Sequence, residues 1–178
     1  NQLTEQDWKN EAESFLTKMT DEVIDRAIAQ QPREIRDISG PKIAQTLKDR
    51  RNFIVADVME YYYFLSQTVS ITGSDKKEQY NITRNDDGSM LVEVFKITNE
   101  GNLSTKMYER KFDPIHTKEI RIYGFDGDDK FVVTGADDKI KVRMIGGGGA
   151  DVFENSSKGD GGMVYDRRDG NNSLTGGF

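Results

Sequence analysis

The sequence contains no cysteine and only one histidine, and each scarcity removes a class of chemistry. Without cysteine there are no disulfides, no zinc-cysteine sites and no thiol catalysis, and redox chemistry says nothing about compartment. A dinuclear metallohydrolase needs several histidines and aspartates, whereas here His116 stands alone in Phe112-Asp113-Pro114-Ile115-His116-Thr117, a turn between strands. Gly-x-Ser-x-Gly, a phosphate loop and His-Glu-x-x-His are all missing, so no nucleophile or base is identified. The adjacent pair Asp128-Asp129 does not straddle a substrate as glycosidase carboxylates must.

Apolar runs fall short of the roughly 20 residues of a membrane-spanning helix. Positive charge is not concentrated either. Residues 1–68 hold nine Lys/Arg against twelve Asp/Glu and residues 69–178 hold sixteen against nineteen, for a net charge of −6. A nucleic-acid surface needs a basic patch, and the best local run, Lys48-Asp49-Arg50-Arg51, reads as a solvated helix face. The chain opens at Asn1 without a signal-peptide pattern and ends in the turn-rich Asn171-Asn172-Ser173-Leu174-Thr175-Gly176-Gly177-Phe178. It is therefore expected to be part of a longer protein.

Nine Phe, seven Tyr and one Trp supply the core anchors of a folded chain of 178 residues, read as one compact unit with two halves. From Trp8 to Ile28 apolar residues recur at steps of three and four, with Thr4 and Thr20 as caps and Pro32 as a stop. Ser39-Gly40-Pro41 opens a second helical pattern that reaches Leu65 and includes Tyr61-Tyr62-Tyr63-Phe64. After about residue 69 short alternating runs separated by turn residues predict an antiparallel meander. The expected organisation is α+β: a helical half over 1–68, packed on an antiparallel β-meander over 69–118, continuing into a Gly/Asp-rich β stack over 119–178.

That last segment contains an internal repeat. Ile120-Arg121-Ile122-Tyr123-Gly124-Phe125-Asp126-Gly127-Asp128-Asp129-Lys130-Phe131 matches Val142-Arg143-Met144-Ile145-Gly146-Gly147-Gly148-Gly149-Ala150-Asp151-Val152-Phe153 at an offset of 22 residues. A degraded third copy begins at Met163-Val164-Tyr165-Asp166 and continues through Arg167-Arg168-Asp169-Gly170-Asn171-Asn172. Stacked copies would lay parallel strands over one another and align the glycine turns in a column, a short solenoid. Close stacking and positive φ already give the glycines a structural purpose without a ligand.

The stretch Gly146-Gly147-Gly148-Gly149-Ala150-Asp151-Val152-Phe153-Glu154 also resembles the nonapeptide of repeats-in-toxin proteins, whose turns bind calcium in parallel β-rolls. Gly124–Val132 fits except for Phe125. The resemblance implies calcium as a cofactor, with Asp126, Asp128, Asp129 and Asp151 as candidate ligands.

More widely, Ile38-Ser39-Gly40, Leu47-Lys48-Asp49-Arg50-Arg51, Tyr61-Tyr62 and Gly73-Ser74-Asp75-Lys76-Lys77-Glu78 match in texture, followed by Tyr108-Glu109-Arg110-Lys111-Phe112 and the two glycine units. Together they resemble an accessory region of Bacteroidetes-type bacterial surface proteins that join a calcineurin-like metallophosphoesterase domain to an outer-membrane β-barrel. The resemblance implies a non-catalytic, exported region, periplasmic or outer-membrane associated, whose partners are other domains of the same polypeptide, with no nucleic acid and no membrane span of its own. The alternatives are a calcium-binding module through the Gly/Asp turns, part of a metallophosphoesterase whose catalytic domain lies outside this chain, and an extracellular glycan- or protein-binding domain using exposed aromatics.

Overall fold

In a computed structural model, which describes residues 3–136, 139–167 and 171–178, Thr4 closes a capping box on helix α1 (Glu5–Lys18). Its hydroxyl accepts the Asp7 N–H while Asp7 accepts the Thr4 N–H. Thr20 caps α2 (Asp21–Ala29) by accepting the Val23 N–H. Helix α3 (Arg33–Arg51) starts directly after Pro32, not at Ser39, and runs through Gly40-Pro41. Gly40 suits that place because a Cβ there would lie 3.1 Å from Ile28 Cγ2 of α2. The pattern expected to run on to Leu65 breaks at Asn52-Phe53, and α4 (Ile54–Ser66) follows.

Two basic residues of α3 do more than face solvent. Lys48 Nζ lies 2.8 Å from Asp25, and Arg51 donates to Asp21 at 2.6 Å and to the Met19 carbonyl at 2.8 Å, so together they hold the start of α2. Trp8 packs on Tyr62 with ring centroids 5.7 Å apart, and the Tyr63 hydroxyl donates to Glu5 at 2.6 Å. Among the described residues no helix is long and apolar enough to cross a membrane.

The chain is α+β and divides into two compact units, the helices up to Leu65 and the strands from Ser66 to Phe178. The strands are β1 (Thr68–Thr72), β2 (Glu78–Arg84), β3 (Met90–Ile97), β4 (Leu103–Phe112), β5 (Glu119–Asp126), β6 (Lys130–Gly135), β7 (Lys141–Gly148), β8 (Val152–Asn155), β9 (Met163–Tyr165) and β10 (Ser173–Thr175). They form two sheets, in the orders β1-β5-β7-β9 and β10-β8-β6-β2-β3-β4.

The expected antiparallel meander is confined to β2, β3 and β4. Every other pairing is parallel, and β1 lies beside β5 in the opposite sheet from β2. The 22-residue repeat is the pairing register itself: Ile120 faces Val142, and Phe131 faces Phe153. A parallel ladder in register sets equivalent residues one strand spacing apart, roughly 4.8 Å. The rings of Tyr80, Phe131 and Phe153 accordingly stack inside the unit, with centroids 4.7 and 4.8 Å apart and planes within 8°. Val69, Ile71, Ile120, Ile122, Val142 and Met144 meet them from the other sheet as one continuous core.

Candidate functional site

Between the two sheets, the β1–β2, β5–β6 and β7–β8 connections each carry, or end on, one buried acid, and these acids lie over one another. Glu78, Asp129 and Asp151 are almost wholly buried. The Glu78 N–H donates to Asp129 Oδ1 at 2.8 Å, the Asp129 N–H to Asp151 Oδ1 at 2.8 Å, and the Asp151 N–H to Asn172 Oδ1 at 2.9 Å. Each side chain thus satisfies the backbone of the turn before it in the stack. An N–H group at such a corner lies beyond the sheet ladder and needs another acceptor.

Opposite the acids runs a column of small backbone positions, Gly73, Gly124 and Gly146, ending in Asp166. A Cβ on Gly124 would lie 2.3 Å from Asp129 Oδ2, and one on Gly146 2.3 Å from Asp151 Oδ2 and 2.9 Å from Asp166 Oδ2. The glycine is required because the acid of the same turn folds back onto it. Along the stack the two rows therefore read Gly, Gly, Gly, Asp against Glu, Asp, Asp, Asn. Where Asp166 replaces the glycine, Asn172 replaces the acid.

Burial without a partner leaves a charge cost. Asp129 Oδ2, Asp151 Oδ2 and Asp166 Oδ2 are buried oxygens to which no N–H or hydroxyl group donates, and the last two lie on the same side of Gly146. Burial pushes the Asp129 carboxyl up to about 8, and the charges of Glu78, Asp151 and Asp128 add to it against the Glu78 N–H bond. Burial likewise pushes Asp151 up to about 6, reinforced by Asp166 and Asp128. Glu78 is better supplied: Ser74 donates to it through both N–H and hydroxyl. The buried Tyr80 phenol is raised, by burial first and then by Asp129 and Glu78.

The four aspartates singled out as calcium ligands are distributed rather than gathered. Asp129 and Asp151 sit on successive turns of the buried ladder. Asp128 faces outward, pairs with Lys77 Nζ and accepts the Ala150 N–H at 3.0 Å, and these bonds hold its carboxyl below the usual range. Asp126 points toward Gly148, where a Cβ would meet its Oδ1 at 2.5 Å. Calcium asks for six to eight oxygens around one point. Among the described residues no three acidic or histidine side chains form a metal-holding group. His116, in the turn after β4, donates its N–H to the Asp113 carbonyl.

Sequence reasoning missed Glu78 and Asn172. A signal existed: Val69-Ser70-Ile71-Thr72-Gly73-Ser74-Asp75-Lys76-Lys77-Glu78-Gln79-Tyr80 matches Ile120–Phe131 without a gap at an offset of 51 residues. It is a further copy of the repeat, hidden because the hairpin β3–β4 intervenes before the next one. In the last copy, residues 168–170 lie outside the described residues, but β9 and β10 pair in parallel with β7 and β8 as the repeat requires. No protein-family model, curated protein or solved structure matches the chain.

Proposed function

We propose that the chain is a non-catalytic accessory region of a larger exported bacterial protein. The parallel strands are read as a short solenoid that serves as a rigid spacer, and the helices as the part that docks against neighbouring domains such as a hydrolase. The observation that carries this reading is the helical surface. Ile38 is 83% exposed, Phe64 65% and Phe53 64%, with Tyr61 and Ile35 also above half. So many large apolar groups exposed on one small helical unit favour an interaction surface.

The acid ladder supports the non-catalytic half of the reading. Its carboxylates, Glu78, Asp129 and Asp151, each accept a backbone N–H inside the stack. The calcium alternative rests on the three buried carboxylate oxygens that no N–H or hydroxyl group reaches.

Two measurements test the proposal. The isolated chain is expected to leave p-nitrophenyl phosphate unhydrolysed, and turnover abolished by His116→Ala would overturn the non-catalytic reading. The neighbouring segments of the same reading frame, produced separately, are expected to bind this chain and to lose binding on Ile38→Asp or Phe64→Asp. Binding indifferent to both substitutions would remove the docking role from the helices.

A further inference from the structure

Phe125 is the single described non-glycine residue with positive φ, at 78°. Its register partner on the next strand is Gly147, with φ 111°. A positive φ at this corner suits glycine, and a phenylalanine held there is strained. Nothing in the core compensates, since the ring is 48% exposed.

What the ring does is line a groove. A cavity of about 490 Å³ lies on the outer face of the parallel sheet, bounded by residues from four successive turns. Its floor is the third turn, Ile145 and Gly147. One wall is Tyr123 and Phe125 of the second turn, whose rings stack with centroids 6.4 Å apart. The other wall is Tyr165 and Arg167 of the fourth.

Tyr165 is held in place by Arg143, whose Nη1 donates to its hydroxyl at 2.9 Å with the guanidinium 6.0 Å from the ring centroid. Walls on alternate strands stand two spacings apart, roughly 10 Å. With van der Waals contacts of roughly 3.5–4 Å on each side, that admits one ring between the two aromatic walls.

Charge around the groove selects the ligand. Asp75, Asp126 and Asp166 are set against an anion, while Arg167 beside the groove and Arg143 beneath Tyr165 are set against a cation. Carboxylates that accept and guanidinium groups that donate are together suited to hydroxyls, which do both. The geometry points to a binding site for a neutral saccharide, one pyranose ring clasped between Tyr123/Phe125 and Tyr165 over Ile145, with its hydroxyls on Asp75, Asp126 and Arg167. This inference goes beyond the accessory role and does not depend on it.

The test is isothermal titration of the full chain with cellohexaose, xylohexaose, maltohexaose and chitohexaose. Adenosine, a heparin hexasaccharide and a lysine hexapeptide serve as flat aromatic, anionic and cationic controls. At least one neutral hexasaccharide is expected to bind. Phe125→Gly and Tyr165→Ala should each weaken that binding by about tenfold or more.

Phe125→Gly places at this positive-φ corner the residue that adopts it without strain, so its Tm is expected to stay level or rise while binding falls. A merely structural Phe125 would not separate the two readouts. The proposal is overturned if none of the four saccharides binds, if both variants bind as the parent does, or if a control binds more tightly and loses binding on Phe125→Gly.

Discussion

Asn172 occupies on the last turn the place that Asp129 and Asp151 hold on the turns before it, and it does so without a charge. Its Oδ1 accepts the Asp151 N–H and its Nδ2 donates to the Arg167 carbonyl, both at 2.9 Å, so neither end is left over. Asp129→Asn and Asp151→Asn keep the same acceptor and remove a buried charge. Each is expected to raise stability at pH 8.5 by about 1 kcal/mol in urea titrations. Asp129→Ala strands the Glu78 N–H and should instead cost about 1–3 kcal/mol.

The same carboxyls fix a pH dependence. Burial raises Asp129 to about 8 and Asp151 to about 6 in the folded chain, from an ordinary value of 3.8. The folded state therefore holds protons that the unfolded state releases. This contribution is fully present below pH 4 and is lost as pH rises, through about 6 for Asp151 and about 8 for Asp129. Melts from pH 5 to 8.5 should show a decline that Asp129→Asn flattens. Millimolar calcium should leave Tm where chelator leaves it, and a rise of several degrees lost in Asp151→Asn would restore the calcium reading.

At the scale of elements, the ring column is the part most sensitive to truncation. Phe131 is stacked on both sides, by Tyr80 and Phe153, and is fully buried. Phe131→Ala should cost about 3–5 kcal/mol in the same titrations. A loss below about 1 kcal/mol would mean that the strands do not stack in this register.

Much of this was legible in the sequence, because the 22-residue repeat states the register of β5 with β7 and of β6 with β8 directly. What was hidden has identifiable causes. A strand that pairs in parallel 51 residues away looks locally like one arm of a hairpin, so β1 and β2 read as a meander. Gly40-Pro41 reads as a helix start, yet α3 passes through it because the missing side chain lets it lie against Ile28. The groove was half legible: Phe125 stood out as the misfit in the glycine motif, but its meaning needed the φ angle and the neighbouring turns.

At the scale of the whole molecule, the two units differ in how much they bury. The helices up to Leu65 enclose Ala12, Ile24 and Tyr62 as their buried apolar residues, whereas the strands share a core running from Val69 to Phe153. Stability follows apolar area removed from water, so the helical unit should open at the lower free energy. The sequence supplies a reporter, since its one tryptophan, Trp8, belongs to α1. In a urea titration the Trp8 fluorescence transition should precede the loss of amide-exchange protection at Ile122, Val133 and Met144. Lys48→Ala and Arg51→Ala, which release the start of α2, should move the first transition and leave the second in place. Coincident transitions that shift together in these variants would mean that the helices and strands unfold as one cooperative body, and the spacer and docking roles could not then be assigned to separate units.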